Sequence, residues 1–369
     1  MFFEEFTRNV TLILINEPKS PYTKDGLEFV VNYLTICSRG KSENVPPQDT
    51  AIVLFERFIH EVIVNLLKHS NRIECRINCC NLIAKLFSKI EDIDEGIYNE
   101  VKEALVERAA DKNMAVRCQA AMALEQFQEV NDDDAAISAL KFHVKYDPQN
   151  EVRQACLEVL LPCKDTICVF VNATRDINDV NRKIALNRIA DSISIERFSM
   201  EQRMTILKNG LNDPSSPVKK TAETKLLSSW LKSCNNDIIE LLQLLDIQSH
   251  QSLIEKMINI CFNQLLSVKV LQYKTRFHEF VEHFIETYLD HKKLILRKPL
   301  CIENVIVWRL IAEFSKNNNC FVKINREMTI ENSSNEFVET QDLFVGPEEI
   351  DLFDFVIPDL PDFCKYIKT

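Results

Sequence analysis

One signature recurs along the middle of the chain and limits the folds open to it more than any other feature. The segments DKNMAVRCQAAMAL (111–124), DPQNEVRQACLEVL (147–160), DINDVNRKIALNRI (176–189) and DPSSPVKKTAETKLL (213–227) align without gaps. In each, an aspartate stands six residues ahead of a base: Asp111 and Arg117, Asp147 and Arg153, Asp176 and Arg182, Asp213 and Lys219. Val116, Val152 and Val218 immediately precede the base in three copies, and Asn181 takes that place in the remaining one. A looser upstream copy, HSNRIECRINCCNLIAKL, sets Arg76 in the same position without the aspartate. From Arg76 onward the successive bases are 41, 36, 29 and 37 residues apart, the length of a helix pair.

A unit of that size cannot bury its hydrophobic face alone, so the copies must stack on one another. The signature reads as the turn and second helix of a HEAT repeat. The aspartate accepts backbone N–H bonds at the helix start, and Asp-Pro sets the turn. The valine and the alanine and leucine positions after it share one face at helical spacing. The base is placed to bond the aspartate of a neighbouring repeat, which predicts a ladder through Asp111, Arg117, Asp147, Arg153, Asp176 and Asp213. The expected class is therefore all-α, an α-solenoid of HEAT repeats forming a curved rod. Only 5 Gly and 12 Pro occur, too few for the tight turns of sandwiches, barrels or doubly wound sheets, while 46% hydrophobic residues supply a core.

The pattern divides the chain into a helical segment and loop (1–48), a repeat core (49–247), further helical repeats (248–316), a polar loop (317–347) and a terminal helix (348–369). Amphipathic helices are expected near 22–38, 49–69, 236–245, 250–266, 270–290 and 302–316, with SRGKSENVPPQD as a loop between the first two. The absence of a polar capping repeat at the end leads us to expect the front piece of a longer solenoid.

A net charge of −11 confines any nucleic-acid contact to a local patch. Thirteen cysteines, none in a C-x-x-C pair, recur on apolar helix faces and point to a reducing compartment. Glu4 and Glu5 replace the basic region of a signal peptide, and no apolar run approaches a membrane span. The expectation is a soluble intracellular protein.

Enzymatic constellations are weak. His278 and His283 in HEFVEH are five apart rather than four, which turns them away from each other on a helix. Cys75, Cys79 and Cys80 lie among Ile73, Ile77, Leu82 and Ile83 and read as core. Walker and Gly-x-Gly loops are absent, so no catalytic residue, metal or cofactor is expected. Charge is more telling. Between Asn172 and Lys232 eleven bases face seven acids, a net +4, whereas residues 91–134 carry −9. Arg182 with Lys183, and Lys219 with Lys220, are placed to form a positive stripe facing phosphates. Arg175, Lys68 and Arg72 are further candidates. Arg117 and Arg153 read as ladder residues, whereas nothing structural demands a charge at Lys183 or Lys220.

Several strings resemble the CAP-G family of condensin subunits: LLKHSNRIECRINCCNLIAKLF, VRCQAAMAL, EVRQACLEVLLP, the long run from NDVNRKIALNRI to KLLSSWL, NDIIELLQLLDI, ENVIVWRLIAEFSKNNN and VIPDLPDFCKYI. The likeness covers roughly residues 55–369 and is densest over 65–247. It implies a non-catalytic HEAT subunit of condensin, without a membrane or small-molecule partner, bound to the kleisin CAP-H. In that family the pair holds duplex DNA in a basic groove and reaches the SMC subunits through the kleisin. The resemblance implies mitotic chromosome condensation as the setting, in the nucleus and on chromosomes, with a cytoplasmic pool. Two other readings stand beside it: a HEAT adaptor for proteins only, of transport-receptor or phosphatase-scaffold type, and a hydrolase on a helical scaffold.

Overall fold

The computed structural model describes residues 2–39, 49–90, 93–131, 134–271, 274–290, 295–296 and 301–318. The expected polar loop of 317–347, beyond its first two residues, and the expected terminal helix of 348–369 lie outside them, as does most of the expected loop at 38–49. The chain divides into two compact units, Met1–Ile193 with Pro214–Thr221, and Ser194–Asp213 with Ala222–Thr369.

In the first unit α1 (Phe2–Leu14), α2 (Pro21–Arg39) and α3 (Asp49–Phe58) are followed by a π-helical stretch (Ile59–Val64) that runs into α4 (Asn65–His69). Then come α5 (Ile73–Phe87), α6 (Glu95–Ala109), α7 (Met114–Ala123), α8 (Ala135–Tyr146), α9 (Asn150–Val159), α10 (Ile167–Ala173) and α11 (Asp179–Ser192). Two layers result. Helices α5, α7, α9 and α11 pack successively, each on the next, while α6, α8 and α10 form a second row, and each repeat pairs α6 with α7, α8 with α9, and α10 with α11.

The aligned signature explains this packing. Val116, Val152 and Asn181 stand five residues after their aspartates, and Ala120, Cys156 and Ala185 stand nine after. Ala121, Leu157 and Leu186 follow at ten, and Leu124, Leu160 and Ile189 at thirteen. All twelve are at most 1% exposed, so the recurring face is the buried one. Burying each leucine or isoleucine contributes about 1.5–3 kcal/mol. Asn181 is buried although polar, and its amide donates to the Asn150 carbonyl at 3.3 Å, in the preceding repeat.

The second unit holds α12 (Met200–Leu211), and the first is completed by α13 (Ser216–Thr221), which packs on α11. The second unit continues through a π-helical stretch (Ala222–Leu226), α14 (Leu227–Ser233), α15 (Ile238–Gln243), α16 (Gln251–Ser267), α17 (Arg276–Tyr288) and α18 (Ile302–Asn318). A reciprocal capping box fixes the start of α12: Ser199 Oγ accepts from Gln202 N, and Gln202 Oε1 accepts from Ser199 N. Phe262, Phe277 and Phe314 gather α16, α17 and α18 around one aromatic cluster, with ring centroids 5.0–5.4 Å apart.

The helix expected over 270–290 is shorter than the sequence pattern implied. Lys269–Leu271 pairs antiparallel with Lys274–Thr275, and Leu289–Asp290 with Ile295–Leu296, so α17 occupies only the middle of that stretch. On the N-terminal side the physical reason lies in Val270 and Thr275, β-branched residues that favour extended backbone and carry that end of the run into a hairpin. The protein is otherwise helical among the described residues, and the all-α class stands.

Candidate functional site

The aspartates and arginines of the signature meet across repeats. Arg117 donates from Nε to Asp147 Oδ2 at 2.8 Å and from Nη2 to Asp147 Oδ1 at 2.9 Å. Arg153 makes the same two bonds to Asp176, at 2.7 and 2.9 Å. Arg76 reaches Asp111 at 2.9 Å through Nε and 3.3 Å through Nη2. The fork geometry suits a guanidinium and a carboxylate, which is why arginine rather than lysine stands at these positions. The third nitrogen closes the arginine's own turn, Arg117 Nη1 on the Asp111 carbonyl at 3.0 Å and Arg153 Nη1 on the Asp147 carbonyl at 2.9 Å. Each arginine thus ties its own repeat turn to the next one.

The aspartates are not the helix caps that the sequence suggested. Asp111, Asp147 and Asp176 accept the N–H two residues on, from Asn113, Gln149 and Asn178 at 2.8–3.0 Å, an Asx turn that brings the chain to the helix. Asn113 and Asn178 are the caps, accepting from Ala115 and Val180. The reason is stereochemical: a carboxylate receiving a guanidinium from the neighbouring repeat must stand off the helix axis. Arg108 adds a second donor to Asp111 at 3.2 Å, and His143 Nδ1 lies 3.1 Å from Asp147. Asp213, buried, occupies the matching turn after α12 in the second unit.

Burial alone would raise the Asp147 carboxyl, but the bonds from Arg117, the Gln149 N–H and His143 outweigh it and hold the group below the usual carboxylate range. The same balance of burial against Arg153 and the Asn178 N–H lowers Asp176. Arg117 and Arg153 are raised, first by these hydrogen bonds to Asp147 and Asp176. Both partners of the Arg117–Asp147 and Arg153–Asp176 rungs are therefore fixed in their charged forms.

The candidate binding bases divide into two kinds. Arg182 Nη1 donates to the Asp176 carbonyl at 2.9 Å, the turn-closing contact made by Arg117 and Arg153, so it belongs with the ladder arginines. Other bases in the positive stretch are likewise spent on carbonyls: Arg188 donates to Leu160 at 2.7 Å, and Arg203 to Ile195 and Leu244 at 3.0 and 2.8 Å. The excess of positive charge counted along the sequence therefore overstates what faces a ligand. Lys183 and Lys220 are exposed and Lys219 half-buried, on the packed pair α11 and α13, and Arg175 is exposed in the turn before α11. Lys68, half-buried, ends α4, and Arg72, exposed, precedes α5. Three helix-to-helix steps separate α5 from α11, roughly 25–30 Å at usual packing distances, so these two bases form a patch separate from Lys183 and Lys220.

Of the enzyme-like strings, His278 turns inward to the start of α17, its Nδ1 2.8 Å from Thr275 Oγ1, while His283 is exposed. Cys75, Cys79 and Cys80 are buried. Burial pushes the Cys80 thiol up to about 12, while a hydrogen bond with Cys79 outweighs burial at Cys75 and brings it to about 7. No group of three His, Cys, Asp or Glu side chains among the described residues is placed to hold a metal.

Sequence reasoning missed Gln128, which has no counterpart in the aligned copies. Its amide donates to the Val159 carbonyl at 2.8 Å and accepts from Leu161 N at 2.7 Å, clasping the end of α9. No periodic signal marks such a residue.

Known proteins share these features. Residues 61–161 match the HEAT repeats family, covering α5 to α9 and the first ladder rungs. Condensin complex subunit 3 of Xenopus laevis is 28% identical over 323 residues, 86% of this chain. The human protein is 27% identical over 321 residues. Over most of its length the chain is similar to condensin complex subunit 3. The Schizosaccharomyces pombe subunit 3 is 30% identical over 237 residues, 62% of this chain. The chain spans 30% of the frog and human condensin subunits and 26% of the fission-yeast one. Among solved structures, the S. pombe condensin Cnd3-Cnd2 subcomplex superposes over the whole chain and 41% of the matched one, with a TM-score of 0.68 at 22% identity. That likeness establishes the fold, an α-solenoid of HEAT repeats.

Proposed function

We propose that this chain acts without catalysis, as a HEAT scaffold of condensin that holds the kleisin subunit CAP-H and duplex DNA and reaches the SMC subunits through the kleisin. Homology to condensin complex subunit 3 is the observation that carries the reading. It is supported by the solved relative, whose partner is Cnd2, and by the division of labour among the bases. Arginines of the ladder are neutralised within the fold, whereas Lys183, Lys219, Lys220 and Arg175 stand on adjoining elements, three of them exposed. A duplex carries a phosphate about every 1.7 Å of axis, so even a short row of such bases meets several charges. The working place is the nucleus and the chromosomes.

The test is co-expression with a CAP-H central segment followed by duplex titration at two salt concentrations. A stable complex whose DNA affinity falls steeply with salt is expected. A complex that forms but ignores DNA favours the adaptor for proteins only, and failure of both removes the condensin reading.

A further inference from the structure

A groove of about 340 Å³ opens in the first unit between α8 and α10. Its floor is the Arg153–Asp176 rung, whose charges are mutually neutralised. Val144, Val169 and Ile177 supply apolar walls, and Lys145 and Arg175 stand at its edge. Three observations separate this groove from a by-product of repeat packing.

Ile177 is 89% exposed. The residue after the turn aspartate is Lys112, Pro148 and Pro214 in the other copies, so the turn itself does not call for a large aliphatic side chain. On α8, Phe142 and Tyr146 are 57% and 58% exposed, with ring centroids 5.2 Å apart, and the groove residue Lys145 has its Nζ 4.8 Å from the Tyr146 ring centroid. Finally, the charges at the rim are of one sign: Lys145 and Arg175 are both exposed, and the acids within the groove, Asp147 and Asp176, are engaged by Arg117 and Arg153.

We infer that this groove is a docking site for an acidic peptide segment of a partner protein, anchored by one aromatic or branched aliphatic side chain. Carboxylates of the peptide face Lys145 and Arg175, and the anchor sits among Val144, Val169 and Ile177. The volume is at the lower end for a binding pocket and suits one or two side chains rather than a duplex. Charge complementarity selects acid, and the apolar walls select peptide over phosphate, which gains nothing from an isoleucine. The inference goes beyond the scaffold reading and stands without it, since the groove belongs to this chain alone.

The test is selection of a randomised peptide library on the full chain, with affinities of the selected peptides then measured on variants. Selected peptides are expected to combine acidic residues with an aromatic or aliphatic anchor. Their binding should weaken at least tenfold in Arg175→Glu and at least threefold in Ile177→Ser, and stay unchanged in Lys24→Glu, an exposed position on α2. Both changed residues are exposed, so thermal unfolding should match the parent, and a smaller Arg175→Ala substitution serves as a second variant. Peptides lacking this pattern, or binding indifferent to Ile177→Ser and Arg175→Ala, overturn the inference. If Ile177→Ser weakens duplex DNA and leaves peptides unaffected, the groove is a nucleic-acid surface and the peptide inference is wrong.

Discussion

Arg117 and Asp147 join two consecutive repeats through a fork of hydrogen bonds at 2.8 and 2.9 Å, with 12% and 3% of their side chains exposed. At that burial neither charge is tolerable without the other. Removing one partner of a buried pair typically costs about 3–5 kcal/mol, whereas replacing both with apolar residues costs far less. We therefore expect Asp147→Ala to lower the denaturant midpoint strongly and the combined Arg117→Met, Asp147→Leu variant to recover part of the loss. Destabilisation of the double variant by the sum of the two single losses would mean that the rung adds nothing beyond its separate parts.

Acid should loosen the ladder before the hydrophobic core. Asp147 and Asp176 are held below their unfolded pKa of about 3.9, so the unfolded state binds protons first as pH falls. Their contribution is complete above that value and is lost as pH falls through their folded pKa. Thermal midpoints measured from pH 7 down to about pH 2 should decline most steeply in the acid range. An Asp176→Asn variant should be less stable at neutral pH and show a shallower acid decline. A parallel decline in parent and variant would count against a linked rung.

Ser199 and Gln202 start α12 by capping each other's backbone. Ser199→Ala should cost about 1 kcal/mol, read as a shift in the urea midpoint, and Ser199→Asp much less, because the carboxylate replaces the hydroxyl as acceptor.

Exposed lysines are predicted to act on DNA and not on folding. Changing Lys183 and Lys220 to Glu should leave the melting temperature within about 2 °C of the parent and flatten the logarithmic salt dependence of duplex binding by about 0.9 for each phosphate no longer neutralised. An unchanged slope would remove these two residues from the interface.

Much of the first unit is legible in the sequence because one residue pattern serves several purposes at once. Val116, Val152 and Asn181 report the buried face, and the Asp-to-Arg spacing reports the turn, so the two signals agree on the repeat and its register. The role of the aspartate within the turn is harder to read, since a carboxylate near a helix start looks alike whether it caps the helix or faces a neighbouring guanidinium. Arg188, Arg203 and Gln128 escape notice for a related reason: their partners are backbone groups, which no sequence motif marks. The hairpins flanking α17 are hidden because Phe277, Val281, Phe284 and Ile285 give the whole stretch a helical period that its ends do not follow. The α8–α10 groove needs coordinates, since Lys145 and Ile177 lie 32 positions apart.

The most direct test of the scaffold reading is titration of the chain with a CAP-H segment, with and without a short duplex, across a salt series. Binding of the segment at every salt concentration, together with duplex binding whose logarithmic slope is about −2 or steeper, is the predicted result. No association with the segment and a salt-independent duplex signal would contradict it.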